Sequence, residues 1–216
     1  MATHSMPEQG QGSVALWVKI CGVRRLQDVE AVRASGADAI GFNLVPASPR
    51  FIPEAALGPL FDAARDLERV AVVADRSQVE LFELLERFAF DRVQLHGHES
   101  AELLANLDAR FYKAVRIADA ADVARAQSMP GERVLVDASV PGMLGGSGRQ
   151  LDVALLPGLV AARRVVLAGG LTPDNVSAAV RAVRPFGVDV ASGVETAPGE
   201  KDAARVRAFV AAARGA

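Results

Sequence analysis

The unit of sequence that decides the fold reads Val165-Val166-Leu167-Ala168, followed by Gly169-Gly170-Leu171 and then Thr172-Pro173-Asp174. Four consecutive apolar residues predict a strand that is buried on both faces, as strands are in parallel sheets. The two glycines predict a tight turn, and a helix is predicted over residues 174–183. The stretch therefore has the order strand, turn, helix from which parallel α/β folds are built.

The same unit recurs about eight times along the 216 residues. Strands are predicted at residues 16–21, 37–42, 70–74, 92–95, 111–115, 134–137, 165–168 and 187–191. Helices are predicted at residues 27–35, 53–67, 79–88, 100–107, 120–126, 151–160, 174–183 and 203–213. Eight such units in a chain of this length predict a single-domain (β/α)8 TIM barrel. An open doubly wound sheet is the alternative, but it should carry a Gly-rich dinucleotide loop after its first strand, and Lys19-Ile20-Cys21-Gly22-Val23 is not one.

The first thirteen residues differ in composition from the rest of the chain. Residues 1–13 hold Gly, Gln, Ser and Pro without an apolar run, which predicts a disordered leader or a cloning remnant rather than a signal peptide. The barrel domain is predicted over residues 14–216. A single cysteine excludes an intrachain disulfide and fits a reducing cytoplasm, and three histidines make a multi-histidine metal site an unfavoured prediction.

The overall charge limits the partners to be expected. Lys and Arg number 24 against 26 Asp and Glu, and only 5% of residues are aromatic, so no basic, aromatic surface for nucleic acid is predicted. No uncharged apolar run approaches the roughly 20 residues of a membrane span. A small-molecule partner is the expectation that remains.

Two residues at predicted strand ends are suited to proton transfer. In a barrel of this kind the active site lies at the carboxyl ends of the strands. Cys21 ends the first strand and can act as a base if the site lowers the pKa of its thiol from about 8.5. Asp137 ends the sixth strand and can act as an acid if it is kept protonated. The alternatives are a small buried apolar residue for Cys21 and a helix or loop cap for Asp137.

Glycine turns after the last two strands suit a phosphate group. Gly169-Gly170 and Ser192-Gly193 follow neighbouring strands, where barrels often bind phosphate through backbone N–H groups. Arg50, after the second strand, offers a planar fork for a carboxylate or a phosphate. Plain turns and a solvated arginine are the alternatives.

Three further features receive weaker predictions. Residues 142–148 form a Gly-rich stretch that is either a lid over the substrate or a plain connector. His96 is predicted to be a packed, hydrogen-bonded residue at the rim, and His98 to be exposed.

From Val18 to about Phe209 the chain resembles the phosphoribosylanthranilate isomerase family of tryptophan biosynthesis. The resemblance rests on six motifs that occur in the family's order, each of them weak alone. They are Lys19-Ile20-Cys21-Gly22, Gly41-Phe42 with Ser48-Pro49-Arg50, Gln94-Leu95-His96-Gly97, Asp137 with Gly145-Gly146-Ser147-Gly148 and Leu151-Asp152, Leu167-Ala168-Gly169-Gly170-Leu171, and Ser192-Gly193-Val194-Glu195 with Gly199 and Lys201-Asp202.

The resemblance implies an Amadori rearrangement of N-(5-phosphoribosyl)anthranilate to the corresponding 1-deoxyribulose 5-phosphate. It implies Cys21 as general base, Asp137 as general acid, and Arg50 near the anthranilate carboxylate. The turns at Gly169, Gly170, Ser192 and Gly193 would hold the phosphate. No metal or redox cofactor is needed for this chemistry, and a monomer or a homodimer is expected.

Some residues depart from the family's pattern. Asn43 stands where an apolar or aromatic residue is common, Ser147 replaces a threonine, and Leu151-Asp152-Val153 replaces Phe-Asp-Trp. All three fall beside the expected site, so they bear on the fit of the anthranilate ring or on closure of the lid.

Two other functions compete with this one. The related isomerase of histidine biosynthesis shares fold and reaction, but it uses two aspartates and a two-phosphate substrate, so Cys21 argues against it. A non-catalytic phosphosugar-binding barrel, in which Cys21 and Asp137 only pack, stays open at this point.

Overall fold

Eight parallel strands close into a barrel in the computed structural model, which describes residues 15–138 and 156–216. Each strand pairs with its neighbours in sequence order, and β8 closes the ring against β1 through pairs such as Lys19 with Asp189. The strands are β1 Trp17–Cys21, β2 Ala39–Asn43, β3 Glu68–Val73, β4 Arg92–Leu95, β5 Phe111–Ile117, β6 Arg133–Ala138, β7 Arg164–Ala168 and β8 Gly187–Val190. The predicted TIM barrel is confirmed.

A helix follows each strand in the described residues. The helices are α1 Leu26–Ser35, α2 Leu57–Ala63, α3 Gln78–Arg87, α4 Ala101–Ala105, α5 Ala120–Ser128, α6 Pro157–Ala162, α7 Val176–Val183 and α8 Ala203–Arg214. Side chains cap several of them, and Ser77 and Glu80 form a reciprocal capping box at the start of α3. The predicted leader at residues 1–13 and the predicted lid at 142–148 lie outside the described residues.

Two predicted helices begin later than the sequence indicated. The prediction of a helix over residues 53–67 was too long, because Pro53 starts a 3-10 turn, Glu54–Ala56, and α2 then ends at Ala63. The helix predicted from residue 174 begins at Val176, since the Asn175 side chain accepts the Thr172 N–H at 2.8 Å and so holds the preceding residues in a turn.

Alternation along the strands separates two cores. On β1, Val18 and Ile20 belong to the large apolar cluster between the strands and the helices. Trp17 belongs to a smaller cluster inside the barrel, with Tyr112, Leu135 and other residues. Residues two apart share a face of a strand, so Lys19 and Cys21 follow Trp17 along the barrel interior toward the carboxyl ends. The barrel axis therefore leads from an apolar floor to the predicted site.

An extra hairpin follows β8. A 3-10 turn, Ser192–Val194, leads into β9 Glu195–Ala197, which pairs antiparallel with β10 Glu200–Lys201 before α8 begins. Among the described helices, none has the length and apolar character that crossing a membrane requires.

Candidate active site

A cavity of about 520 Å³ lies at the carboxyl end of the barrel. Seven of the eight strands or the loops that follow them contribute residues, and the side chains differ widely in chemistry. They include Cys21, Asn43, Arg50, Gln94, His96, Asp137, Gly169, Gly170, Asp189 and Ser192. The structure thus brings together six of the seven residues predicted from the sequence, although they are scattered along 172 positions of the chain, from 21 to 192.

Cys21 ends β1 and is buried at the cavity wall. Its neighbour across the ladder is Gly41 of β2, and a Cβ added there would lie only 2.8 Å from the Cys21 sulfur. Burial raises the pKa of the Cys21 thiol above its ordinary value, and the positive charges of Lys19 and Lys201 oppose that rise. This differs from the requirement stated above that the site lower this pKa, and the cause is the loss of solvent around the sulfur.

Asp137 lies near the end of β6 and borders the same cavity, half-buried. In a ring of eight strands β6 is three positions from β1, so the two residues approach the cavity from nearly opposite sides. Asp137 also borders a second cavity of about 610 Å³ above β4 and β5, which His96 and Lys113 also line. The carboxyl group therefore stands where substrate in the first cavity can reach it.

The glycine turns lie side by side after β7 and β8. Gly169 and Gly170 have φ values of 96° and 65°, which L side chains rarely adopt. Gly193 does not border the cavity, but its backbone packs against the Leu171 carbonyl so closely that a Cβ would collide with it. The glycines thus allow the loop after β7 to approach the turn after β8.

Arg50 is held by a carboxylate that the sequence reading did not assign a role. Its Nε and Nη2 atoms donate to Glu195 at 2.8 and 2.7 Å, a bidentate pair. Glu195 Oε1 also accepts from the buried Lys201 ammonium at 2.7 Å and from the Gly199 N–H at 3.2 Å. Arg50 is therefore not a solvated loop residue, and it faces the cavity with its fork already paired.

These contacts shift the pKa values of the cluster. Burial works against the charged form of Glu195, but hydrogen bonds from Arg50 and Lys201 outweigh it and lower the pKa of Glu195. Burial lowers the pKa of Lys201, and Glu195 opposes that effect. The cluster ties the loop after β2 to the hairpin after β8, so it shapes one side of the cavity.

A polar layer lies inside the barrel below Cys21. Lys19 is fully buried, with Nζ 3.0 Å from Gln94 Oε1 and 3.0 Å from Asp189 Oδ1. Tyr112 donates to the same Gln94 oxygen at 3.0 Å, and Gln94 Nε2 lies 3.1 Å from His96 Nδ1. Asp189 Oδ1 accepts no well-formed hydrogen bond, so charge attraction joins it to Lys19.

The sequence patterns considered above did not predict this polar layer, although polar residues at inward-facing strand positions indicate it. Barrel interiors are normally filled by branched apolar residues. Lys19, Gln94 and Asp189 each interrupt an apolar strand at a position whose side chain must point inward.

The remaining predictions concern rim residues. His96 borders the cavity within hydrogen-bonding distance of Gln94, as predicted, and the His98 side chain is 98% exposed. Asn43 Oδ1 accepts the Val45 N–H at 2.9 Å, so this departure from the family pattern stabilises its own loop. Ser147 and Val153 lie outside the described residues.

Comparison with known proteins agrees with this geometry. Residues 18–212 match the family model described as N-(5'-phosphoribosyl)anthranilate (PRA) isomerase. The chain belongs to the N-(5'-phosphoribosyl)anthranilate isomerase family. A protein of that name from Chromohalobacter salexigens is 45% identical over 200 residues, covering 89% of this chain and 92% of its own length. The resemblance inferred from the six motifs is confirmed, and with it the prediction that the chain is an isomerase.

Solved structures of the isomerase family share the fold. One phosphoribosyl anthranilate isomerase, in complex with reduced 1-(o-carboxyphenylamino)-1-deoxyribulose 5-phosphate, superimposes with a TM-score of 0.82 at 33% identity, covering 93% of this chain and all of its own. A second, from Thermotoga maritima, has the same identity and coverage and a TM-score of 0.83. It is described as monomers generated from a dimeric isomerase.

Proposed function

We propose that this chain converts N-(5-phosphoribosyl)anthranilate into 1-(2-carboxyphenylamino)-1-deoxyribulose 5-phosphate for tryptophan biosynthesis, with Cys21 as general base and Asp137 as general acid. One observation carries the assignment of roles. In a member of this isomerase family, a thiol and a carboxyl group border a single cavity from nearly opposite sides of the barrel.

The first chemical step is the opening of the sugar ring. Asp137 gives a proton to the ring oxygen, the bond between that oxygen and the first sugar carbon breaks, and the nitrogen lone pair forms an iminium ion. The aromatic amine supplies the electrons, so a single positioned acid is sufficient. Proton transfer by one such group typically contributes on the order of 10²–10⁴ in rate.

The second step is loss of a proton from the neighbouring sugar carbon. The iminium cation acidifies this proton, and the Cys21 thiolate removes it to leave an enolamine. The enol then loses its hydroxyl proton while the first carbon gains one, which yields the ketone. Protons are only moved in this sequence, so the products contain the same atoms and electrons as the substrate.

Two groups of residues are proposed to orient the substrate. The turns at Gly169-Gly170 and Ser192-Gly193 would bind the phosphate through backbone N–H groups. Within residues 15–138 and 156–216, the N–H groups of these four residues make no turn, loop or cap hydrogen bond, which supports that role. Arg50 would face the anthranilate carboxylate, and its Nη1 atom is the one that Glu195 leaves for it.

The test is turnover of the purified protein and two variants, followed by the loss of substrate fluorescence. We expect Cys21→Ala and Asp137→Asn each to lower kcat by about 10²–10⁴-fold. Asp91→Asn is the matched control, because it makes the same carboxyl-to-amide change away from the site. Asp91 lies just before Arg92, where β4 begins, at the end of the barrel opposite the cavity. Full turnover by both site variants would refute the assignment of the two roles.

The same assay separates the competing functions. A folded protein that binds the substrate without consuming it would be the phosphosugar-binding barrel. Turnover of the two-phosphate substrate of histidine biosynthesis in preference to this one would favour the related isomerase.

We further propose a small phosphosugar as partner, no nucleic-acid ligand, a monomer or homodimer, and a cytoplasmic location. The dimeric T. maritima relative supports the homodimer, and the free thiol that the proposed reaction needs fits a reducing compartment. Sedimentation of the purified protein with and without substrate measures the oligomeric state.

A further inference from the structure

The described interior of the barrel contains a buried ammonium directly below the proposed base. Lys19 is 0% exposed and sits two residues before Cys21 on β1, so both side chains extend from the same face of the strand into the barrel. Burying an unpaired ammonium is expensive, and even paired buried charges are often no better for stability than apolar residues of the same volume. Stability alone therefore gives no reason for a lysine at this position.

The surrounding residues hold the ammonium in one place. Gln94 of β4 accepts a hydrogen bond from Nζ at 3.0 Å, and the Asp189 carboxylate of β8 lies 3.0 Å from it. Burial works against the charged form of Lys19, yet Asp189 chiefly outweighs it, so the pKa of Lys19 is raised and the group is an ammonium. A positive charge is thus fixed between β8, the neighbour of β1, and β4, which lies across the barrel.

A glycine lets the charge and the sulfur share one space. Gly41 of β2 pairs with Cys21, and a Cβ there would lie 2.8 Å from the Cys21 sulfur and 3.0 Å from Lys19 Cε. The Cys21 sulfur and Lys19 Cε therefore both border the space that a side chain at position 41 would fill. The end of the lysine side chain runs beside the thiol, as an electrostatic partner must.

We propose that Lys19 is a positioning residue of the reaction, whose ammonium, anchored by Gln94 and Asp189, stabilises the thiolate form of Cys21. The inference rests on the proposed role of Cys21 as base. Lys19 does not border the cavity, so it acts through the sulfur rather than on the substrate. Of the groups that influence the thiol, it is the strongest that favours the charged form.

Other charges also face the sulfur, and their signs make the proposal testable. Lys201 from the hairpin acts with Lys19, whereas Asp189 from β8 acts against them. The groups that interact with Cys21 are Lys19 on β1, Arg50 after β2, Tyr112 on β5, Asp189 on β8 and Lys201 on β10. Lys19 and Asp189 form one ion pair but push the thiol in opposite directions. Because Asp189 also keeps Lys19 charged, its removal would have two opposed effects on the thiol, so the test changes Lys19 itself: an electrostatic role depends on the charge at this position, and a structural role depends only on the volume of the side chain.

The experiment measures the ionisation of the thiol directly, without turnover. Because the chain has one cysteine, the rate of alkylation by iodoacetamide reports Cys21 alone, and its midpoint against pH is the pKa of the thiol. We expect Lys19→Met to raise that midpoint by about one unit or more, which slows alkylation about tenfold below the midpoint. Lys19→Arg, which keeps the positive charge, should stay close to the wild-type midpoint. Lys113→Met is the control: it removes a buried ammonium on β5 that is paired with Glu99, and it should leave the Cys21 midpoint unchanged.

The outcomes are distinct. An unchanged midpoint in a folded Lys19→Met protein, checked by circular dichroism, overturns the proposal. So does a midpoint in Lys19→Arg that rises as far as in Lys19→Met. If Lys19→Met does not fold, Lys19→Gln removes the same charge with a polar side chain, and an unchanged midpoint there refutes the inference.

Failure of the proposed function would look different. If Cys21→Ala keeps full turnover, Cys21 is not the base, whatever the alkylation midpoints are. If Cys21 is the base, the alkaline rise of kcat/KM in Lys19→Met should move by the same amount as the alkylation midpoint.

Discussion

Replacing Glu195 by glutamine tests the cluster that shapes one side of the cavity. The substitution keeps the size of the side chain but removes its charge. Glu195 receives both Arg50 bonds and the bond from Lys201, whose side chain is 0% exposed. After the change, Lys201 is a buried cation without its counterion, and one Arg50 N–H faces an amide donor.

The expected cost follows from burial. Removing one partner of a buried ion pair destabilises proteins by about 3–5 kcal/mol, mostly because the other charge is left uncompensated. Arg50 retains 21% side-chain exposure, and glutamine still offers one acceptor oxygen, so we expect the low end, about 3 kcal/mol. Urea unfolding followed by fluorescence or circular dichroism measures the difference in the free energy of unfolding.

The same reasoning predicts how the stability difference between wild type and Glu195→Gln changes with pH. The pKa of Glu195 is lower in the folded protein than in the unfolded chain. The contribution of the Glu195 carboxylate to the free energy of unfolding is therefore complete above its unfolded-state pKa of about 4.3, and it is lost as the pH falls through its folded-state pKa. The difference between wild type and Glu195→Gln should thus shrink on acidification below about pH 4.3.

A matched surface change serves as control. Glu132 pairs with Arg164 at 3.1 Å, but these side chains are 71% and 47% exposed, so Glu132→Gln should alter stability by at most about 0.5 kcal/mol. A loss below about 1 kcal/mol in Glu195→Gln, comparable to a surface pair, or a difference that stays constant with acidification, would refute the reasoning.

Three further predictions concern other parts of the barrel. Because burial raises the pKa of Cys21, kcat/KM should increase with pH through that pKa, and a flat profile across the alkaline range would contradict a thiolate base. Gly41→Ala puts a methyl group 2.8 Å from the Cys21 sulfur, so kcat should fall by about 10²-fold in steady-state kinetics, and unchanged kcat would show that the sulfur can move without cost. Gly187→Ala places a Cβ 2.6 Å from the Trp17 carbonyl oxygen at the far end of the barrel, so urea unfolding should show a loss of about 1–3 kcal/mol while kcat of the folded protein is retained.

The fold was predictable because its signals are local. Apolar runs such as Val165–Ala168 followed by glycine turns predict buried parallel strands, and their number predicts the barrel. Helix starts were less predictable: Asn175 bonds to the Thr172 N–H instead of continuing α7 toward the turn, and such competition between side chain and backbone depends on exact geometry.

The candidate site was predictable only in part. Cys21 and Asp137 lie at the ends of strands and the glycine turns follow strands, and barrel topology alone brings the ends of parallel strands to one rim. The partner of Arg50 was not predictable, because Glu195 lies 145 residues away and nothing in the sequence states that the two loops meet.

The amino-acid sequence by itself determined the eightfold repeat of strand and helix, the family, and the residues at the rim, since each depends on short patterns and their order. Only the tertiary structure decided the electrostatics. Burial raises the pKa of the Cys21 thiol, Asp189 holds Lys19 beside it, and Glu195 occupies Arg50. These effects depend on distances between strands and on the exclusion of water, and both arise only when the barrel closes.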